Sequence, residues 1–356
     1  MKFQGGDEYT INLCVQYKLR VKGKKKKEKK VKKVSLIFII TLVAIFLLTS
    51  FAFAAPKYVL KLGHIADPAK PYAIAGEKFA ELVNEKTNGE VEIQIFPSSQ
   101  LGNQRDLIEG LIFGTLDMTL TSTAVLGNFL PKIAIFDLPF LFRDAKHAYK
   151  ALDSIGMEIG KELEPKGIKL LAYFENGIRH LTNNVRPVVA PEDMKGLKIR
   201  VMEQKIYIEM MKALGANPTP MAFGELYTAM QQGTVDGQEN PVSHIWTSKF
   251  FEVQKYISLT GHVYAAEPLI ISMITWNKLP IDAQAAIILS AAEAKSWHRA
   301  QCVASDNDMW EKVIASGLTE VIEVDKEPFR LATAGVWGIF EEQVGKENLD
   351  AIVNLK

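Results

Sequence analysis

Between Gly196 and Pro241 the chain reads GLKIRVMEQKIYIEMMKALGANPTPMAFGELYTAMQQGTVDGQENP. Three short apolar runs (Leu197–Val201, Pro218–Met221 and Thr234–Gly237) alternate with two helix-like segments. Strand–helix alternation of this kind builds a parallel α/β layer, whose ligands sit beyond the carboxyl ends of the strands. Arg200 stands at the end of the first run and Asn240 just past the last. An arginine and an asparagine delivered to one sheet edge, with no nucleophile or metal cluster beside them, point to holding an anion rather than transforming it.

A second βαβαβ series precedes this one. Tyr58–Leu62 alternates as a strand and ends at Gly63-His64; a helix follows from about Tyr72 to Lys86 and stops at Asn88-Gly89. Val91–Ile95 alternates apolar and polar residues, a helix covers Gln104–Phe113 up to Gly114, and Leu116–Leu120 forms the next strand. The order implies a parallel sheet with right-handed crossovers. The loops after its strands begin with His64, with Ser98-Ser99-Gln100 and with Thr121-Ser122-Thr123, so they share one edge and form half of a cleft. Gly114-Thr115-Leu116-Asp117 is echoed by Gly233-Thr234-Val235-Asp236, a helix-ending glycine before a strand in each series.

A helix over 144–164 and a strand Ile168–Phe174 join the two series and lead to Asn176-Gly177-Ile178-Arg179. Beyond the second lie a strand-like Leu269–Thr275, a long helix near Pro280–Met309 and a helical region from about Pro328. The fold class is therefore α/β: two lobes facing each other across strand ends make a hinged clamshell, an architecture that traps small solutes, and the later segments cross back between the lobes, so the domains are discontinuous in sequence. The expected division is 55–176 plus about 265–304 for lobe I and 177–264 plus about 305–345 for lobe II, with 346–356 as a C-terminal tail.

The formal net charge of +1 over 356 residues conceals an asymmetry. Residues 1–54 hold twelve Lys/Arg and three acids; removing twelve from 42 and three from 41 leaves 30 basic against 38 acidic residues, a net of −8. An acidic folded part argues against a nucleic-acid surface, so no nucleic-acid partner is expected. The basic run Lys24–Lys33, the apolar stretch Val34–Phe51 and Ala52-Phe53-Ala54 have the pattern of a secretory signal cut after Ala54. The alternative is an uncleaved anchor, since eighteen apolar-rich residues reach the length of a short membrane span. Export to the periplasm or another extracytoplasmic space follows from the first reading. Cys302 is the one cysteine after this leader, so it cannot form an internal disulfide and reads as a small buried apolar residue.

Arg200 and Arg179 are the leading candidates for chemistry, because a guanidinium matches a carboxylate with two hydrogen bonds and stays charged. A lone arginine would more simply pair with an acid such as Glu239; two arginines aimed at one cleft favour an anion. Asn240 can donate to and accept from a ligand, or form a turn before Pro241. Phe223 is either an apolar wall of the cleft or the first core residue of its helix. His64, without a serine or cysteine neighbour, reads as a hydrogen-bond donor rather than a base. Gln104, Ser122 and Thr123 complete the candidate set from the first series. The histidines have no HExxH spacing, and the chain has no GxSxG elbow, phosphate-binding glycine loop or EF-hand loop, so neither a metal nor a cofactor is expected.

With these residues in hand, the chain resembles the DctP-type solute-binding proteins of TRAP transporters through SSQLG (98–102), FDLPFLF (136–142), NGIRHLTN (176–183), GLKIRV (196–201), PTPMAF (218–223) and VDGQENP (235–241). The resemblance implies a two-lobed, periplasmic-binding-protein-like clamshell with a long connecting helix, a non-enzymatic extracytoplasmic protein that delivers an organic anion to one large and one small membrane subunit; a monomer is expected. It places the carboxylate pair on Arg200, a second anion contact on Arg179, and further contacts on Asn240, Phe223 and His64. Ser122 stands where the sialic-acid branch has an acid, and Val125 where it has an arginine. QENP replaces the Trp-containing motif of the keto-acid branch with its metal-bridged site. Those two ligand types are thereby disfavoured, leaving a C4-dicarboxylate or a sugar acid such as a hexuronate. The competing readings are a secreted enzyme acting on an organic acid, and a binding protein serving a sensor or another importer.

Overall fold

The computed structural model describes residues 55–356 throughout and single helical positions between Lys18 and Thr41. The expected signal sequence and its cleavage site after Ala54 lie, apart from those single positions, outside the described residues. Among the described residues no helix is long and apolar enough to cross a membrane. Ala55–Lys356 forms one compact unit.

Its framework is a nine-stranded sheet in the order β2-β1-β3-β8-β4-β7-β5-β6, with β9 (Glu320–Ile322) paired to β8 off this path. On one side lie β1 (Tyr58–Gly63), β2 (Val91–Phe96) and β3 (Met118–Leu120); on the other lie β5 (Lys198–Val201), β6 (Asn217–Pro220) and β7 (Gly237–Pro241). Each group is parallel within itself. Between them run β4 (Ile168–Asn183) and β8 (Tyr256–Ser272), paired antiparallel to each other, to β7 and to β3. The sheet is therefore mixed, not wholly parallel. Its parallel series are the two expected from sequence, and its antiparallel centre is made by strands much longer than the runs that announce them. Leu170, Leu171, Tyr173, Phe174, Leu181, Val263, Leu269 and Ile271 keep both long strands buried well past their apolar cores.

Two expectations need correction. Asn176-Gly177-Ile178-Arg179 does not follow its strand but lies inside β4, which survives through register shifts between Glu175 and Gly177 and between Arg179 and Leu181. Asn240 likewise lies within β7 rather than past it, because Gln238, Glu239 and Asn240 are buried with polar partners and can continue the ladder.

Local signals set the helices. Helix α1 (Pro71–Lys86) starts at a proline in its first turn, and α2 (Gln104–Phe113) starts at Asn103, whose side chain caps Arg105 and Asp106 N–H while Asp106 reaches back to Asn103 N–H. Gly114 closes α2 at φ 73°. The GT-[LV]-D echo is structural as well: the Asp117 carboxylate accepts from Lys61 N–H at 2.9 Å, and the Asp236 carboxylate from Lys198 N–H at 2.8 Å. Each half thus ties the first strand of its series to the turn that starts the third. A short helix, α3 (Thr123–Leu126), follows β3; α4 (Lys205–Ala213), α5 (Leu226–Gln231) and α6 (Val242–Thr247) follow β5, β6 and β7.

Helix α7 (Ile281–Ser316) spans 36 residues, about 54 Å at 1.5 Å per residue. Ala283, Ile287, Ala291 and Ala294 of its first half join the core of Leu62, Phe79 and Met118; Met309 and Val313 of its second half join that of Leu226, Val235 and Ile257. Alanines at helical spacing let it lie close to the sheet along its length. The opposite face is covered by α4 and by the C-terminal helices α8 (Lys326–Thr333), α9 (Gly335–Val344) and α10 (Lys346–Val353), around Tyr207, Phe329 and Phe340. Residues 346–356, expected as a tail, thus carry a helix, since Leu349 and Ile352 share one face and are buried.

Candidate functional site

Arg200 is the last but one residue of β5, and its side chain is 2% exposed. Its Nε and Nη2 donate to the Met221 carbonyl just beyond β6, at 2.9 and 2.7 Å. Among the described residues Nη1 is buried with no partner. Burial lowers its pKa to about 10, the positive charge of Arg179 adding to the effect and Glu239 opposing it, so the group remains charged at neutral pH. Two edges of the fork are fixed by backbone and the third is left with an unspent donor. A buried donor left unpaired carries a desolvation cost that an acceptor of opposite charge would relieve.

A narrow cavity beside Arg200 is bounded by Gln104 and its neighbours Asn103 and Arg105 at the start of α2, by Val125 of α3, and by Met202, Glu203, Met221, Ala222 and Phe223 across from them. It brings together strand ends from both sides of the sheet. The cavity is narrow, with room for about one water. Of the sequence candidates, Arg200, Gln104 and Phe223 line it. Phe223 is half-buried there, and its ring also packs at 4.5 Å from the His244 ring and 5.8 Å from Phe250. Asn103, Arg105 and Glu203 were missed, although they flank strand ends that the same rule locates.

Arg179 is placed differently. Its Nε donates to Glu239 Oε2 at 2.5 Å, and its Nη2 donates to Glu239 Oε1, the Glu239 carbonyl and Asn240 Oδ1 at 2.9, 2.6 and 3.1 Å. The guanidinium lies 5.5 Å over the Tyr207 ring. Burial by itself would raise the Glu239 pKa, but the Arg179 charge and a hydrogen bond from His262 override it and hold it at about 2. Pairing with Glu239, the simpler alternative for an arginine here, is thus realised on Arg179 and not on Arg200. Asn240 is held at both ends, accepting from Arg179 and donating from Nδ2 to Gln238 Oε1.

Ser122 and Thr123 are engaged by the protein. Ser122 Oγ donates to Gln104 Oε1 at 3.1 Å and accepts from Val125 N–H, so it fixes the cavity residue Gln104. Thr123 donates to Asp137, which Tyr207 also approaches at 3.0 Å. His64 is 1% exposed, and burial lowers its pKa to about 4, against the opposing pull of a backbone contact to Ala66, so it is neutral at pH 7. It begins a chain of rings, His64 to Tyr72 at 6.1 Å, Tyr72 to His244 at 6.2 Å, His244 to Phe223, which ends on the cavity wall. His244 carried no sequence signal; burial, then the charges of Lys70, Arg179 and Arg200, keep it neutral.

The family description "Bacterial extracellular solute-binding protein, family 7" (DctP) matches residues 62–343. A solute-binding protein of Verminephrobacter eiseniae is 40% identical over 302 residues, 85% of this chain and 90% of its own length. The 2,3-diketo-L-gulonate-binding periplasmic protein YiaO of Escherichia coli is 37% identical over 290 residues, 80% and 88% of the two chains. Among solved structures, a TRAP periplasmic solute-binding protein from Polaromonas sp. JS666 bound to D-erythronate is 42% identical and superposes with a TM-score of 0.82, over 84% of this chain and 99% of that one.

Proposed function

Since the chain belongs to family 7 of the bacterial extracellular solute-binding proteins, the DctP family, we propose that it captures a small organic acid between the halves of its sheet and delivers it to the membrane subunits of a TRAP transporter. The observation that carries the reading is Arg200: a buried guanidinium, held by the Met221 carbonyl, with Nη1 unpartnered beside the cavity. A ligand carboxylate supplies the missing acceptor and the missing charge. Arg179, with its fork committed to Glu239, acts as the second positive charge and orients Asn240. Phe223 forms the apolar wall, and His64 contributes through the ring chain to it.

The polar lining narrows the ligand. Asn103, Gln104 and Glu203 offer donors and acceptors suited to hydroxyls, and the Glu203 carboxylate, acceptor-only when ionised, repels a second carboxylate. A hydroxylated monocarboxylate, a sugar acid, is therefore the first choice, and a C4-dicarboxylate the second. YiaO is named for a diketogulonate and the Polaromonas protein is bound to an erythronate, ligands of the first kind. The two halves act as lobes, 55–176 with about 265–304 and 177–264 with about 305–345, and the protein works as an exported, non-catalytic monomer. A thermal-shift screen against aldonates, uronates, dicarboxylates and keto acids tests the proposal, because a ligand that binds only the native state raises the melting temperature by mass action. A rise with an aldonate or uronate supports it; silence across all four classes refutes it.

A further inference from the structure

Lys70 lies in the loop between β1 and α1 and is fully buried, an unusual place for an ammonium group. Its Nζ donates to Ser243 Oγ at 2.8 Å and lies 5.0 Å over the Tyr72 ring. Ser243 belongs to α6, which follows β7, so this bond joins a loop from one side of the sheet to a helix from the other, across β4 and β8. The chain of bonds continues. Ser243 Oγ donates to the Asn176 carbonyl at 3.3 Å, and Asn176 Nδ2 donates to Glu267 Oε2 at 2.7 Å.

Asn176 is the residue that the pairing of β4 with β8 skips, since Glu175 faces Ala266 and Gly177 faces Ala265. Gly177 beside it has φ +120°, and a Cβ there would meet Pro241 Cβ at 3.0 Å. The bond chain therefore runs through a bulge, one of three register shifts in the pairing of β4 with β8 and a place where a strand bends.

We propose that Lys70 is a positioning residue for ligand capture, which holds the two halves of the sheet shut through the chain Lys70–Ser243–Asn176–Glu267 without touching the ligand. The proposal rests on the cleft being the ligand site. Separating the halves breaks the Lys70–Ser243 bond and returns the ammonium to water, whereas closing them buries it again. Glu267 of β8 and Asp306 of α7 face it as compensating charges, and Arg179 of β4 opposes it, while Tyr72 of α1 and His244 of α6 pack around it. Burial holds the ammonium well below its usual range, with the two carboxylates pulling the other way. A hydroxyl acceptor as the direct partner makes the closed state sensitive to this one bond.

The test is a distance measurement between spin labels at Gln94→Cys on β2 and Gln232→Cys after α5, both exposed positions on opposite sides of the sheet. The native Cys302 is buried. Closed and open populations are compared in the doubly labelled parent, in Lys70→Met, in Ser243→Ala, and in Lys78→Met as a control on the outer surface of α1. Each is measured ligand-free and with saturating D-erythronate, D-glucuronate or succinate. Loss of a hydrogen bond to a charged group should lower the closed-to-open ratio by about tenfold in Ser243→Ala and leave the control unchanged, whereas Lys70→Met, which also removes the cost of burying the ammonium, should shift it less. An unchanged ratio in Ser243→Ala, or a parent that never populates the closed distance, overturns the proposal. If Lys70→Met does not fold, Ser243→Ala decides. The thermal-shift screen on the wild type fails or succeeds independently, so a wild type that binds while its variants close normally rejects the latch alone.

Discussion

Replacing Arg200 by methionine should remove ligand binding while leaving the fold nearly as stable as before. The substitution keeps an apolar stem in the space of the arginine stem and deletes the guanidinium. Two hydrogen bonds to the Met221 carbonyl are lost, and leaving that acceptor unsatisfied costs about 1–3 kcal/mol. Against this, burial lowers the Arg200 pKa from its ordinary value to about 10, a penalty of about 3 kcal/mol on the charged form that the variant no longer bears. The two terms oppose each other, so the melting temperature of the ligand-free variant should stay within about 5 °C of wild type. Affinity has no such compensation. Truncating one member of a buried charge pair costs about 2–5 kcal/mol, which is a loss of about 30-fold to several thousand-fold. Calorimetric titration with the ligand found by screening, alongside scanning calorimetry of the ligand-free proteins, measures both quantities. Affinity within about threefold of wild type would show that the carboxylate anchor lies elsewhere. A collapse of the melting temperature would show that Arg200 is there for the fold.

Arg179 should behave in the opposite way: Arg179→Met strands the Glu239 carboxylate in the core and should lower stability by about 3–5 kcal/mol, and adding Glu239→Leu should restore much of it; equal melting temperatures for wild type and single variant would refute the assignment. Burial pushes the carboxyls of Asp137, Glu267 and Asp306 up to about 7, so the stability they contribute is full below their ordinary values of 3.8, 4.5 and 3.8 and is lost as pH rises through 7. Glu239, held at about 2, contributes stability that is present above 4.5 and lost as pH falls toward 2. Asp137→Asn, which keeps the acceptor for Thr123 and Tyr207, should therefore remove part of the loss of stability between about pH 4 and pH 7; a variant whose melting-temperature profile runs parallel to wild type across that window would contradict the reasoning. Gly237→Ala should fail to fold, because a Cβ there meets the Thr182 carbonyl at 2.0 Å across the β4–β7 pair, whereas Gly224→Ala, with nothing within 4 Å, should express as wild type; soluble, normally melting Gly237→Ala protein is the contrary result.

Local chemistry was legible along the chain. Helix α2 begins and ends where Asn103 and Gly114 say it should, α7 runs through the alanine-rich stretch after Pro280, and the two GT-[LV]-D turns perform the same task in both halves. Arg200 was readable as a cation at a strand end because a strand end is a local event. Strand lengths were not readable in β4, β7 and β8. Their polar residues Asn176, Arg179, Glu239, Asn240 and Glu267 look like loop residues until their partners, up to 91 positions distant, are in place.

The sequence by itself determined two α/β series, the helix that spans them, and an arginine and a phenylalanine on one edge, since each depends on neighbours a few residues away. Tertiary structure alone decided which arginine is free. Arg179 and Arg200 are equal as residues, and only the antiparallel pairing of β4 with β7 brings Glu239 to the first and leaves the Nη1 of the second unanswered. The sheet order β1-β3-β8-β4-β7 likewise put Lys70, Ser243 and Asn176 within reach of one another. An ion pair or a buried bond is a property of two distant positions, and a chain read in order shows each of them separately.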